Sequence, residues 1–231
     1  AALPPFGYEQ FRVIKGSPAT IASPAKAEGN VLENEFYKLT FLSDGTVSIY
    51  DKSVGKDLFP QGKGGCRAVV INDTSDTWSH KIVNYEEEIG AFSNAVAKVL
   101  ENGPLRATVR TVSTYGSSRL TIDWSLYAAS KRIDSEVSLD WHEHLKMLKF
   151  SFPTNLDSPA STYAVPYGFI QREVNGDENP GQHWIDVTGS LESIPYGLSV
   201  INDSKYGYDV KGNDLRVSIA RSAVYAQHNP A

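Results

Sequence analysis

No run of ten or more residues in this 231-residue chain has the apolar spacing of an amphipathic helix, whereas more than ten short segments alternate apolar and polar side chains with period two. That contrast constrains the fold. A strand with alternating side chains buries one face only, so many such strands must stack sheet against sheet. The clearest pair is 34–41 and 47–51, joined by Ser43-Asp44-Gly45-Thr46, where the Asp-Gly step suits the positive φ of a tight hairpin. Further strands are expected at 67–72, 92–99, 105–115, 118–127, 132–139, 145–152, 163–174, 197–201 and 214–220, with 166–168 bulged or at an edge and 175–181 an open turn. Residues 6–14 read as a strand and 15–29 as an Ala-, Pro-, Ser- and Gly-rich linker. The expected fold is all-β, with two large antiparallel sheets packed face to face.

Length and charge then remove whole classes of function. A chain of this size buries about 70% of the surface its unfolded form exposes, so it needs no covalent staples. Cys66 is the single cysteine, which precludes an internal disulfide and a thiolate zinc knuckle. It fits a reducing compartment, and a cytoplasmic location is the expectation. A formal charge of -5 without a basic run argues against nucleic acid as a partner. No apolar run approaches the roughly 20 residues a membrane-spanning helix requires, so no membrane partner is expected.

The densest grouping of aromatic and charged side chains is Asn202-Asp203-Ser204-Lys205-Tyr206-Gly207-Tyr208-Asp209, between two strand-like runs. It reads as a connection, with Gly207 and Gly212 free to take positive φ. Loops of this composition carry ligand contacts when a rigid scaffold presents them. Lys205, Tyr206, Tyr208 and Asp209 are therefore candidates for a substrate or a domain interface; the alternative is a solvated hairpin with its tyrosines flat on the sheet. Trp78 and Trp184 join them, since an indole serves either as a lid on a core or as a platform for a ligand. Asp140-Trp141-His142-Glu143-His144 continues the strand at 132–139, so Asp140, His142 and His144 are expected on one strand face. His142 and His144 are thus candidate metal ligands, against the alternative of a polar sheet face beside Lys146.

Taken together, Leu32-Glu33-Asn34-Glu35-Phe36-Tyr37, the hairpin from Ser43 to Lys52, Asp140-Trp141-His142-Glu143-His144-Leu145-Lys146, and the octet from Asn202 with the run from Arg216 to Ser222 resemble the C-terminal β region of family 38 glycoside hydrolases, the α-mannosidases. The order and spacing match over nearly the whole chain, and Leu3-Pro4-Pro5-Phe6-Gly7-Tyr8 is similar to the family's preceding strand. The resemblance implies a large antiparallel β-supersandwich of the galactose-mutarotase-like type over residues 30–231, with residues 1–29 a terminal strand and linker from a small β domain. Further strands are expected beyond Pro230. It also implies an N-terminal catalytic domain of the same polypeptide, holding zinc and an aspartate nucleophile, that hydrolyses terminal α-mannosides with retention. The family's nucleophile and zinc motifs have no match between Ala1 and Ala231, so no catalytic residue and no bound cofactor are expected in this chain. Two other readings stand beside it. One is a free-standing sugar mutarotase, with Glu143 beside His142 and His144, or His183 with Glu173, as acid and base. The other is a carbohydrate-binding module stacking sugars on Trp78, Trp141 and Trp184.

Overall fold

The computed structural model describes residues 5–17 and 20–225, and every regular element among them is a strand. All pairings within the sheets are antiparallel. The first sheet is a meander of β1 (Lys26–Glu28), β2 (Val31–Glu33), β3 (Tyr37–Phe41), β4 (Val47–Asp51) and β5 (Lys56–Asp57). Its β3–β4 turn is the one expected: Gly45 takes φ +89°, and the Asp44 carboxylate accepts from the Thr46 N–H and hydroxyl. The second sheet carries β8 (Ser93–Asn102), β9 (Arg106–Tyr115), β10 (Ser118–Tyr127) and β11 (Ile133–Asp140), in the order β11-β10-β9-β8.

The third sheet gathers strands from far apart in sequence. β6 (Arg67–Asn72), β7 (Glu88–Ala91), β12 (Lys146–Pro153), β15 (Asn179–Pro180), β18 (Gly207–Lys211) and β19 (Asp214–Arg221) lie in the order β15-β18-β19-β12-β6-β7. The fourth holds β13 (Asp157–Val165), β14 (Gly168–Arg172), β16 (Trp184–Leu191) and β17 (Ile194–Ile201), in the order β14-β13-β16-β17.

The all-β expectation stands, but the strands divide among four sheets rather than two. The run 163–174 is not one strand: Pro166 and Tyr167 reverse the chain between β13 and β14, and Tyr167 takes φ +67° without being glycine. The 175–181 turn contains β15. Residues 26–28, read as linker, form β1, with Ala25 and Ala27 buried in the core. Residues 6–14, expected as a strand, lie outside every sheet, and Phe6, Tyr8, Phe11, Val13 and Ile14 are exposed; a lone extended segment without a paired neighbour has no ladder of hydrogen bonds to hold it as a strand. The expectations on Leu3-Pro4 and on strands beyond Pro230 fall outside the described residues.

The strand period decides which faces are buried. Along β6, Ala68 and Val70 enter the main core while Val69 and Ile71 enter a smaller cluster on the opposite face; β12 does the same with Leu148 and Phe150 against Met147. The main core joins one face of the third sheet to the first and second sheets through Leu32, Leu39, Val109, Ile122 and Leu126. Farther along that face, Tyr208, Val210, Leu215 and Val217 meet Tyr163, Ile185 and Val187 of the fourth sheet. Each such aliphatic side chain removed from water contributes about 1.5–3 kcal/mol. The opposite face of the third sheet carries the polar chemistry.

Candidate functional site

Lys149 follows Leu148 and precedes Phe150 in β12 but turns to that polar face, where it is fully buried, as is Asp209. The Lys149 ammonium donates to both Asp209 and Glu178; Arg216 Nε donates to the second Asp209 oxygen at 2.6 Å, and the Ser218 hydroxyl donates to Glu178. Four charges of alternating sign thus knit β12, β18, β19 and the approach to β15. Burial pushes the Asp209 carboxyl above its ordinary value, against the pull of Lys149 and Arg216. The Tyr85 ring lies over this network with the Lys149 ammonium at 5.6 Å and the Arg221 guanidinium at 5.1 Å from its centroid, geometry in which the ring faces attract both cations.

The loop from Asp73 to Glu87 covers the same face. Arg221 pins it by donating to Asp73, Ser75, Ser79 and the Asp76 carbonyl, and the Tyr85 hydroxyl donates to Ser79. Between this loop and the octet lies a shallow pocket of about 310 Å³, bordered by Ser79, Tyr85, Glu178, Gly207, Ser218 and Arg221 among others. Hydroxyls, a carboxylate and an aromatic ring therefore share one depression. Two segments that stand 128 residues apart, taking 207 − 79, meet at its rim.

The sequence candidates separate into two groups here. Tyr208 and Asp209 are not loop residues; they belong to β18 and are fully buried, because period-two alternation turns Tyr208 into the core and Asp209 onto Lys149. The Tyr208 hydroxyl shares its one proton between the Gln182 and Lys205 carbonyls and accepts from the Asn202 amide, whose carbonyl oxygen caps the Ser204 and Lys205 N–H groups. Asn202 and Tyr208 thereby clamp the turn. Tyr206, at its apex, is 55% exposed and meets the His183 ring edge-on at 6.3 Å, with Lys205 half-buried beside it. Gly207 matters through close approach, not backbone sign: a Cβ there would stand 2.7 Å from Glu178 Oε1.

Trp184 is half-buried; because Ile185 and Val187 point into the core, it faces the other side of the fourth sheet. Trp78 is 59% exposed on the covering loop, tilted against Tyr225 and His80. Trp141 stacks on Phe92 and donates to Ser222, so it serves packing. β11 ends at Asp140, so His142 and His144 do not share a strand face with it; His142 Nε2 lies 2.8 Å from Asp140, and no cluster of three metal-ligating side chains occurs among the described residues. Glu143 is held by Lys146 and Ser118, and His183 packs on Tyr206, so neither His–Glu couple forms a hydrogen-bonded acid–base pair among the described residues. Sequence reasoning missed Lys149, Glu178 and Arg216. A lone lysine inside the run Met147-Leu148-Lys149-Phe150 was the signal for the first.

Fold and site together define a class: an antiparallel all-β domain that presents an aromatic turn above a buried ion network. Comparison with known proteins narrows it. The model of the glycosyl hydrolases family 38 C-terminal domain matches residues 32–229, and the chain belongs to that family. It is 28% identical over 96% of its length to alpha-mannosidase G of Dictyostelium discoideum, and 26% identical over 73% of its length to alpha-mannosidase 2C1 of Mus musculus. The chain spans only 23% and 17% of those two proteins. The crystal structure of an alpha-mannosidase from Enterococcus faecalis V583 superposes over 91% of this chain and 28% of its own, with a TM-score of 0.76 at 16% identity, which speaks to fold alone.

Proposed function

We propose that this chain acts as the non-catalytic C-terminal β domain of a retaining α-mannosidase, with zinc and the aspartate nucleophile supplied by an N-terminal catalytic domain of the same polypeptide. The observation that carries the reading is the family match over residues 32–229. The finer architecture is a galactose-mutarotase-like supersandwich, favoured by the burial of one face of the third sheet against its three neighbours. The lone, buried Cys66, its thiol pushed up to about 12 by burial, suits a reducing, cytoplasmic setting.

In this reading the polar face of the third sheet turns toward the catalytic domain. Tyr206 and Lys205 reach the sugar or the domain interface, while Tyr208, Asn202 and Asp209 hold them. A rigid neighbour that fixes sugar hydroxyls raises turnover by orienting the scissile bond between the catalytic carboxylates. In the intact enzyme, Tyr206→Ala and Lys205→Ala lower kcat/KM on an α-mannoside by about tenfold each, the worth of one hydrogen bond to a charged or sugar group, with the melting temperature unchanged. Wild-type kinetics in both variants would remove these two residues from the site.

A further inference from the structure

Among the described residues, each of the four sheets ends in two edge strands, and a free edge carries unpaired N–H and C=O groups that invite another strand unless something blunts it. Every edge but one is blunted. β1, β5, β7 and β15 are only two to four residues long, and β15 contains Pro180. β8 carries Lys98 and two register shifts, β11 carries Asp134 and Glu136, and β17 carries Pro195. β14, Gly168-Phe169-Ile170-Gln171-Arg172, has no lysine, proline, acidic residue or register shift.

That edge is also apolar and open. Phe169 is 70% and Ile170 44% exposed, and a Cβ at Gly168 would meet nothing within 4 Å. The register fixes which backbone groups are free. The two-residue Pro166-Tyr167 turn closes on Val165 and Gly168, so Gly168, Ile170 and Arg172 spend their hydrogen bonds on Val165, Tyr163 and Ser161 of β13. By alternation Phe169 and Gln171 turn theirs outward, and no loop or turn backbone bonds to either among the described residues.

Such an edge is complementary to itself. When a second copy lies antiparallel across a two-fold axis at Ile170, Phe169 of each copy faces Gln171 of the other and the pair exchanges both hydrogen bonds, so every outward group of both strands is satisfied. Ile170 then meets its own counterpart in a non-hydrogen-bonded pair, the kind in which side chains stand closest. Arg172 lies opposite Gly168 and Glu173 opposite Tyr167, so no like charges oppose each other. A shift of two residues either way leaves one outward residue facing chain beyond the strand.

We infer that β14 is a dimerisation edge, on which a second copy of this chain pairs antiparallel through its own β14 and joins the two fourth sheets into one, with Ile170 on the two-fold axis. The axis stands perpendicular to the sheet, so the faces that carry Tyr163 and Ile170 lie on one side in both copies, and each Ile170 is covered by the other. The contact uses none of Lys205, Tyr206 or the pocket rim, so it stands independently of the α-mannosidase reading.

The test is sedimentation velocity on the 231-residue chain from about 1 µM to about 1 mM, the span in which a small interface associates. A 25.3 kDa monomer is expected to give way to a dimer as concentration rises. Ile170→Lys, which sets two ammonium groups face to face, raises the dimer Kd about tenfold or more. Gln171→Pro does the same by removing an outward N–H while leaving the β13 ladder intact. An equimolar mixture of Ile170→Lys and Ile170→Glu chains restores the dimer, because opposite charges then meet at the axis, which misfolded variants could not do. A monomer at every concentration, a dimer unaltered by both substitutions, or a mixture no better paired than its parts would overturn the inference. So would growth beyond the dimer with concentration, the sign of residues 6–14 of one copy laid head-to-tail on the edge of the next.

Discussion

Replacing Lys149 by methionine removes one charge from a buried set of four and leaves its carboxylate partners behind. Asp209 is fully buried and keeps only Arg216, while Glu178, 19% exposed, keeps only Ser218. Breaking a buried pair by deleting one partner costs about 3–5 kcal/mol, and the surviving Arg216 contact places this case near 3. For a domain of this size that corresponds to a fall in melting temperature of about 6–12 °C. The loss is also pH-dependent, with a definite sign. Burial already raises the Asp209 carboxyl, and losing Lys149 raises it further. The folded variant then holds a proton at pH values where the unfolded chain has released it, so its stability increases as pH falls toward the raised value. The deficit relative to the parent should accordingly be smaller at about pH 5 than at about pH 8. Adding Asp209→Asn to Lys149→Met should cost much less than Asp209→Asn alone, with a coupling above about 1 kcal/mol. Urea denaturation at both pH values, on the two single variants and the double, measures all of this. A loss under about 1 kcal/mol, the value of an exposed pair, combined with additivity would refute the account of a desolvated network.

Two further outcomes follow from neighbouring geometry. Glu143 is 10% exposed and accepts from Lys146 Nζ and Ser118 Oγ, each at 3.0 Å; the Lys146 ammonium holds its carboxyl below the ordinary glutamate value against the opposing effect of burial. A lowered carboxyl stabilises the fold above its unfolded value of 4.5 and loses that contribution as pH falls through the folded value, so Glu143→Gln should flatten thermal stability below about pH 4.5. Gly207→Ala places a methyl 2.7 Å from Glu178 Oε1 and 3.2 Å from Ser218 Cβ. Because Lys149 and Ser218 hold that carboxylate, the change should cost about 1–3 kcal/mol in urea unfolding, and an unaltered midpoint would show that Glu178 moves freely.

Local signals carried much of the fold. The Asp44-Gly45 turn and the alternation from Ser118 to Tyr127 are written within a few residues, so β3, β4 and β10 are legible without the structure. Reversals lacking glycine were not: Tyr167 takes positive φ on its own, so β13 and β14 merged into one expected strand. The site failed in the same way. Tyr208 and Asp209 looked like loop residues because polar and aromatic groups crowd the octet, yet their alternation with Val210 is a strand pattern, and their partners Gln182 and Lys149 come from distant segments. Tyr206 and the pocket rim depend on crossovers that no local pattern specifies.

The third sheet draws neighbouring strands from opposite ends of the chain, β12 at Lys146–Pro153 lying between β6 at Arg67–Asn72 and β19 at Asp214–Arg221. During synthesis the first two sheets are complete once Asp140 has emerged, each a meander of consecutive hairpins with short closure distances. The third must wait for the last of its strands. Until residues 207–221 arrive, β12 has one bare edge and the Lys149 ammonium, already in place beside β6, lacks Asp209, one of its two carboxylate partners. A nascent chain therefore passes through an interval in which an unpaired strand edge and a half-compensated buried charge lie together, a state open to mispairing and to capture by chaperones.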